Sequence, residues 1–166
     1  MADSELLTLA SELGNALKAR GWTLALAESC TGGWASQTVT AIAGSSNWFD
    51  RGFVTYSIAA KIEMLGVTEN TLSQHGAVSE QTAREMALCA LKHSHASIAA
   101  AITGIAGPDG GTQEKPVGTV CFAWVAANGY IKTTTRHLTG DREEVRRVSV
   151  KTMLEVLLQL TLTSDL

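Results

Sequence analysis

The sequence has little of what would place it in several large classes. It has no excess of positive charge: 13 basic against 16 acidic side chains leave a net charge of −3, too little to grip nucleic-acid phosphates along a surface. No nucleic-acid partner is expected. Nowhere does an apolar run approach the roughly 18 residues that cross a bilayer, and Met1 to Leu7 is acidic and reads as helix rather than as a leader. A cytoplasmic chain without membrane association is therefore expected. The three cysteines, Cys30, Cys89 and Cys121, are odd in number and far apart, with no CxxC or HxxxH spacing to make a zinc site. They read as reduced thiols. His93 and His95 stand isolated, and His75 and His137 lack partners at readable spacing, so no metal and no other cofactor is expected. Aromatic residues make up 5% of the chain, and the four tryptophans read as core or interface anchors rather than as a stacking platform.

What is present is an apolar fraction of 45% over 166 residues, enough for one domain spanning 1–166 to bury its own core. Leu6, Leu9, Leu13 and Leu17 recur at helical spacing behind Asp3 and Ser4, so a helix is expected from about 4 to 20, ended by Gly21. An apolar run from Trp22 to Ala27 breaks into Glu-Ser-Cys-Thr-Gly-Gly before a helical stretch from Trp34 to Ile42. A second strand is expected over Gly52 to Tyr56, leading through Ser57 to a segment near Lys61. Ser79 caps a helix to about Lys92, and Ser97 to Ile102 is a buried-strand run. Val117 to Ala126 and Tyr130 to His137 flank Asn128-Gly129, a strong antiparallel hairpin signal. Asp141, with Glu144 three residues on, opens a last helix to about Leu160, and Thr161 to Leu166 is expected to fray. Strands alternating with helices plus one hairpin specify an α/β fold: a three-layer α/β/α sandwich with a mixed, mostly parallel sheet.

Four constellations are candidates for chemistry. Glu28-Ser29-Cys30-Thr31-Gly32-Gly33 joins a strand end to a helix start, where free amides and the helix dipole favour an oxyanion or phosphate. The same glycine pair is also ordinary turn chemistry, and Glu28 also reads as a structural hydrogen-bonding carboxylate. Thr103 to Gly111 places Gly104, Gly107, Gly110 and Gly111 beyond another strand, where ligands of open α/β sheets collect. It is neither a Walker A loop nor a GxGxxG fingerprint, which disfavours ATP and NAD. Tyr56 and Lys61 follow a strand, and a lysine in a partly buried pocket can lose its proton and act as a base, although a solvated lysine is the blander reading. Arg142 and Arg146 share a helix face suited to an anionic ligand, beside an expected Glu143–Arg147 ion pair that suggests plain surface charge.

Taken in order, Ala27-Glu28-Ser29-Cys30-Thr31-Gly32-Gly33, Val54-Thr55-Tyr56-Ser57 with Lys61, Gly76-Ala77-Val78-Ser79-Glu80, Thr103 to Gly111 and Lys115-Pro116-Val117-Gly118-Thr119-Val120 resemble the CinA C-terminal-domain family of nicotinamide-nucleotide amidases. The resemblance spans about residues 5 to 160. It implies metal-free hydrolysis of the carboxamide of a small-molecule nucleotide, nicotinamide mononucleotide, in pyridine-nucleotide recycling, on an α/β/α fold that forms a homo-oligomer. It also implies Ser29 as nucleophile, Lys61 as its base and Tyr56 as a neighbour that orients or relays a proton. Glu28, Thr31, Gly32, Gly33, Thr103, Gly104, Gly107, Gly110, Gly111 and Arg142 or Arg146 would hold the substrate's phosphate and ribose. Ile58 stands where the family usually carries asparagine, removing a side-chain donor and acceptor close to Lys61. That departure keeps open a nucleotide-binding regulatory domain without turnover. A thiol-dependent amidase using Cys30, at the same helix start, is a third reading.

Overall fold

β1 (Leu24–Glu28) is buried along its whole length, and its alternation sorts the molecule into layers. Leu24 and Leu26 enter one core, while Ala25 and Ala27 enter the other. A computed structural model describes residues 2–163 and Leu166. Its five strands lie in the order β2-β1-β3-β4-β5, with β2 (Phe49–Val54), β3 (Ile98–Gly104), β4 (Thr119–Ala126) and β5 (Ile131–His137). β1 pairs in parallel with β2 and β3, whereas β3–β4 and β4–β5 are antiparallel. The hairpin is where Asn128-Gly129 puts it; the antiparallel β3–β4 pairing has no comparable local signature, because a long loop joins those strands.

The two faces differ in side-chain size. On one, Leu24, Leu26, Ile98, Phe122 and Trp124 pack against α1 (Ser4–Arg20), α2 (Trp34–Thr40) and α6 (Arg142–Leu162). On the other, Ala25, Ala27, Ala99, Ala101 and Ala123 meet Ala83, Ala87 and Ala90 of the helix α5 (Glu80–Lys92), small residues that let helix and sheet approach closely, with Met86 beside them. α/β/α layering thus follows from period-2 patterning in strands buried on both sides.

Between β2 and α5 lie α3 (Ile58–Ala60), a π-helical turn at Lys61–Leu65 and α4 (Glu69–His75). α4, capped by Thr68, has Thr71 and Leu72 as its buried residues, too few for a periodic signal, and the sequence reading missed it. β2 starts three residues earlier than expected, with Phe49 registered on Leu24. The expected fraying of Thr161 to Leu166 does not hold for Thr161: α6 continues to Leu162, and the buried Thr161 hydroxyl donates to the Leu157 carbonyl at 2.7 Å. Ser164 and Asp165 lie outside the described residues. Arg147 turns across to Asp3 and Glu5 of the N-terminal segment instead of pairing with Glu143, tying α6 to the start of α1.

Candidate active site

β1, β2 and β3 end side by side, and the segments that leave them enclose a cleft of about 280 Å³. Ser29, Cys30, Tyr56, Ile58, Lys61, Thr103, Gly104, Gly107, Gly110 and Arg142 line it. Larger hollows exist, including one of about 490 Å³ between α1, α2 and the start of α6, lined by Asp3, Trp34, Gln37 and Arg147. No nucleophile–base contact faces that space among the described residues.

Lys61 sits at the floor. Ser57 caps α3, accepting from the Ala60 N–H at 3.0 Å, and the helix widens into a π turn that starts at Lys61 and folds its side chain inward. Only 1% of Lys61 is exposed. Its Nζ lies 2.8 Å from the Thr55 carbonyl oxygen, 3.4 Å from that of Tyr56 and 2.9 Å from Ser29 Oγ. Among the described residues no carboxylate pairs with it, and burial pulls its pKa down to about 8. A neutral amine has two N–H bonds and one lone pair. With the N–H bonds donated to the two carbonyls, the lone pair is left to accept the Ser29 hydroxyl proton.

Ser29 is held by its own backbone, with its N–H donating to the Ile102 carbonyl at 3.0 Å. The turn that follows is closed from within. Glu28, fully buried, accepts from Thr31 Oγ1 and Ser36 Oγ at 2.7 Å and from the Ala35 and Ser36 N–H groups at 2.9 Å. The Trp34 and Gln37 N–H groups go to the Thr31 and Gly33 carbonyls. The first amides of α2 are therefore occupied, and the anion site expected at this helix start is filled by the protein's own carboxylate. Thr31, Gly32 and Gly33 stand outside the cleft lining; the glycines supply φ of +60° and +98° that an L-residue adopts with strain. Arg146 also belongs to the turn rather than the cleft, donating to the Cys30 and Thr31 carbonyls and lying over the Trp34 ring.

Thr103, Gly104, Gly107 and Gly110 do line the cleft, whereas Gly111 packs against the Val117 backbone beside it. Gly107 has φ +84°, and a Cβ there would run into the Val117 side chain. Arg142 bridges two sides of the mouth, donating to the Gly107 carbonyl at 2.8 Å and to the Tyr56 phenol at 3.0 Å. Tyr56 thus offers its carbonyl to Lys61 while its ring, 60% exposed, faces Arg142. The phenol is not interposed between Ser29 and Lys61, which touch directly. Ile58 forms part of the rim, and Lys61 takes its partners from Ser29 and from backbone oxygen, so the asparagine-to-isoleucine departure leaves the Ser–Lys contact whole. Burial pushes the Cys30 thiol up to about 11, keeping it protonated at neutral pH and weak as a nucleophile. The reading from sequence quoted Thr55, Ala77 and Val78 within its motifs but gave them no role, since the Thr55 contribution is a carbonyl that leaves no mark on residue type; Ile105, Ala106 and Asp109 line the cleft within the Thr103 to Gly111 loop it expected at the ligand.

Similarity to known proteins runs the length of this arrangement. The family profile of the CinA C-terminal domain matches residues 6–161. The nicotinamide-nucleotide amidohydrolase PncC of Escherichia coli strain K12 is 57% identical over 159 residues, 96% of this chain and 96% of that protein. That of Enterobacter agglomerans is 56% identical over 146 residues, 88% of this chain and 89% of that one. Among solved structures, the competence/damage inducible protein CihA from Agrobacterium tumefaciens superposes with a TM-score of 0.93 at 46% identity, covering 96% of this chain and 98% of its own.

Proposed function

The chain belongs to the CinA C-terminal domain family, and from that premise we propose that it is an amidohydrolase converting nicotinamide mononucleotide and water to nicotinate mononucleotide and ammonia. The observation that carries the reading is the buried Lys61 amine, held by two carbonyls with Ser29 Oγ 2.9 Å away.

Ser29 Oγ attacks the carboxamide carbon as its proton passes to Lys61 Nζ, turning the neutral amine into an ammonium. The N–H groups of Cys30, Ala106 and Gly107, which among the described residues donate to no backbone carbonyl, are among the cleft donors available to the oxyanion and the phosphate. Lys61 then hands its proton to the departing nitrogen, the C–N bond breaks, and ammonia leaves an ester on Ser29. Water attacks that ester with Lys61 again taking a proton, which it returns to Ser29 as the acid is released. Arg142 at the mouth is assigned to the phosphate, and Thr103 with Gly104, Gly107 and Gly110 to the ribose and ring. Glu28, Thr31, Gly32, Gly33 and Arg146 support the nucleophile's turn.

Ammonia release from nicotinamide mononucleotide, measured beside nicotinamide, its riboside and NAD, tests the reading. The mononucleotide is expected to lead in kcat/KM, because buried donors are left unpaired when the phosphate is missing. Equal values for riboside and mononucleotide would remove the phosphate from the assignment, and no release from any of the four would remove the amidase. Chelator is expected to leave turnover intact, since the lysine supplies the base; loss restored by one divalent ion would contradict this mechanism. Self-association and a cytoplasmic location belong to the same proposal. The exposed Val54, Tyr56, Ile58 and Met64 support the first, free Cys30, Cys89 and Cys121 the second, and among the described residues no helix is long and apolar enough to cross a membrane.

A further inference from the structure

Glu28 is fully buried, stands outside the cleft lining and has no cationic partner among the described residues, an arrangement that is costly unless every lone pair is used. All four of its partners donate: Thr31 Oγ1, Ser36 Oγ and the N–H groups of Ala35 and Ser36. A carboxylate is the side chain that accepts from four donors at once. Capping of α2 would ordinarily fall to the residue at position 33, but Gly33 has no side chain and makes no cap bond. A residue from the end of β1 does it instead, and in doing so spans the whole Ser29–Gly33 turn.

The main chain of the same residue serves the other half of the site. The Glu28 carbonyl accepts from the Thr55 N–H at 2.8 Å, and the Thr55 carbonyl accepts from Lys61 Nζ at 2.8 Å. One residue therefore stands in both arms of the Ser–Lys contact, by backbone on the lysine arm and by carboxylate on the serine arm. We propose that Glu28 is a positioning residue whose carboxylate sets where Ser29 Oγ sits relative to Lys61 Nζ, without touching substrate. Its kinetic readout rests on the amidase reading above.

Glu28→Gln keeps the shape but turns an NH₂ group toward a backbone N–H, so the turn must shift. A displacement of about 1 Å at a nucleophile can cost a hundredfold, so kcat is expected to fall about tenfold to a hundredfold with KM within about twofold of wild type. The second-order rate at which a fluorophosphonate probe labels Ser29 is expected to fall by the same factor, although the probe has neither phosphate nor ribose. A purely structural role would lower Tm and leave both rates per folded molecule unchanged; a substrate-binding role would raise KM and spare labelling. Either outcome overturns the proposal. Should Glu28→Gln fail to fold, Ser36→Ala and Thr31→Val, each removing one of the four donors, are expected to lower kcat and labelling together by about threefold to tenfold. Unchanged rates in both would refute it. If the wild-type protein releases no ammonia, the amidase reading falls, and the labelling comparison still decides the role of Glu28.

Discussion

Two glycine-rich segments leave the ends of neighbouring parallel strands, and in the sequence they look like equivalent candidates for a ligand cradle. The structure gives them opposite designs. The segment after β1 is largely closed by its own groups: Glu28 fills the start of α2, Arg146 takes the Cys30 and Thr31 carbonyls, and the segment shows the cleft only Ser29 and Cys30. The segment after β3 opens its backbone to the cleft along Thr103, Gly104, Gly107 and Gly110. Glycine therefore serves different ends in the two: Gly32 and Gly33 supply the positive φ of a closed turn, whereas Gly104, Gly107 and Gly110 line the open cleft. Rigidity belongs where an atom must be aimed, and open amides belong where a ligand must be bound. Changes in the first segment should then act on kcat and changes in the second on KM.

The largest effect is expected at the aimed pair. Ser29→Ala and Lys61→Ala should each lower kcat by roughly a thousandfold or more, and the double variant should lose little beyond either, since members of one catalytic unit are not additive. Multiplying losses would separate the two residues. Next, Arg142→Ala should raise KM for the mononucleotide by about tenfold to a hundredfold while leaving the riboside nearly unaffected, the worth of a hydrogen bond to a charged group. Because Arg146 holds the turn that follows Ser29, Arg146→Ala should act on kcat; a KM effect there would exchange the two arginines.

Hydrogen-ion dependence follows from Lys61, whose pKa burial lowers to about 8. In the proposed mechanism the base is the neutral amine, so log kcat/KM should rise with unit slope as pH approaches 8 and level off above it. A profile flat from pH 6 to 9 would move the proton elsewhere.

Smaller effects sharpen the contrast between the segments. Gly32 has φ +60°, and a Cβ there would meet only the Arg146 guanidinium at an ordinary 3.6 Å, so Gly32→Ala should cost about 1 kcal/mol of stability and leave KM alone. Gly107→Ala, with φ +84° and Val117 in its way, should displace the cleft wall and raise KM. Thr55 acts through its carbonyl, and its buried hydroxyl has no hydrogen-bond partner among the described residues. Thr55→Val should therefore be neutral or slightly stabilising in a thermal melt, with kcat retained.

The sequence reading reached the α/β/α layering and the end of the sheet where the Ser29–Lys61 cleft lies, because buried strands, capping residues and an Asn-Gly hairpin are local signals. It could not reach contacts made by atoms common to every residue. The Thr55 and Tyr56 carbonyls that orient Lys61 are of this kind, and so is the antiparallel placement of β4 against β3. Glu28 illustrates the limit differently: its motif was visible, yet whether a carboxylate at a strand end faces ligand or helix depends on where α2 packs. Arg142 and Arg146, one turn apart, separate for the same reason, the first reaching the glycine loop and the second the Ser29 turn.

The most direct test is where a covalent intermediate forms. The protein would be quenched during turnover of a slowly deacylating analogue of the mononucleotide and the adduct mapped by mass spectrometry in wild type, Ser29→Ala and Cys30→Ala. An ester on Ser29 that persists in Cys30→Ala and is absent from Ser29→Ala is expected. An adduct on Cys30 that survives in an active Ser29→Ala protein would contradict it and transfer the nucleophile's role to the thiol.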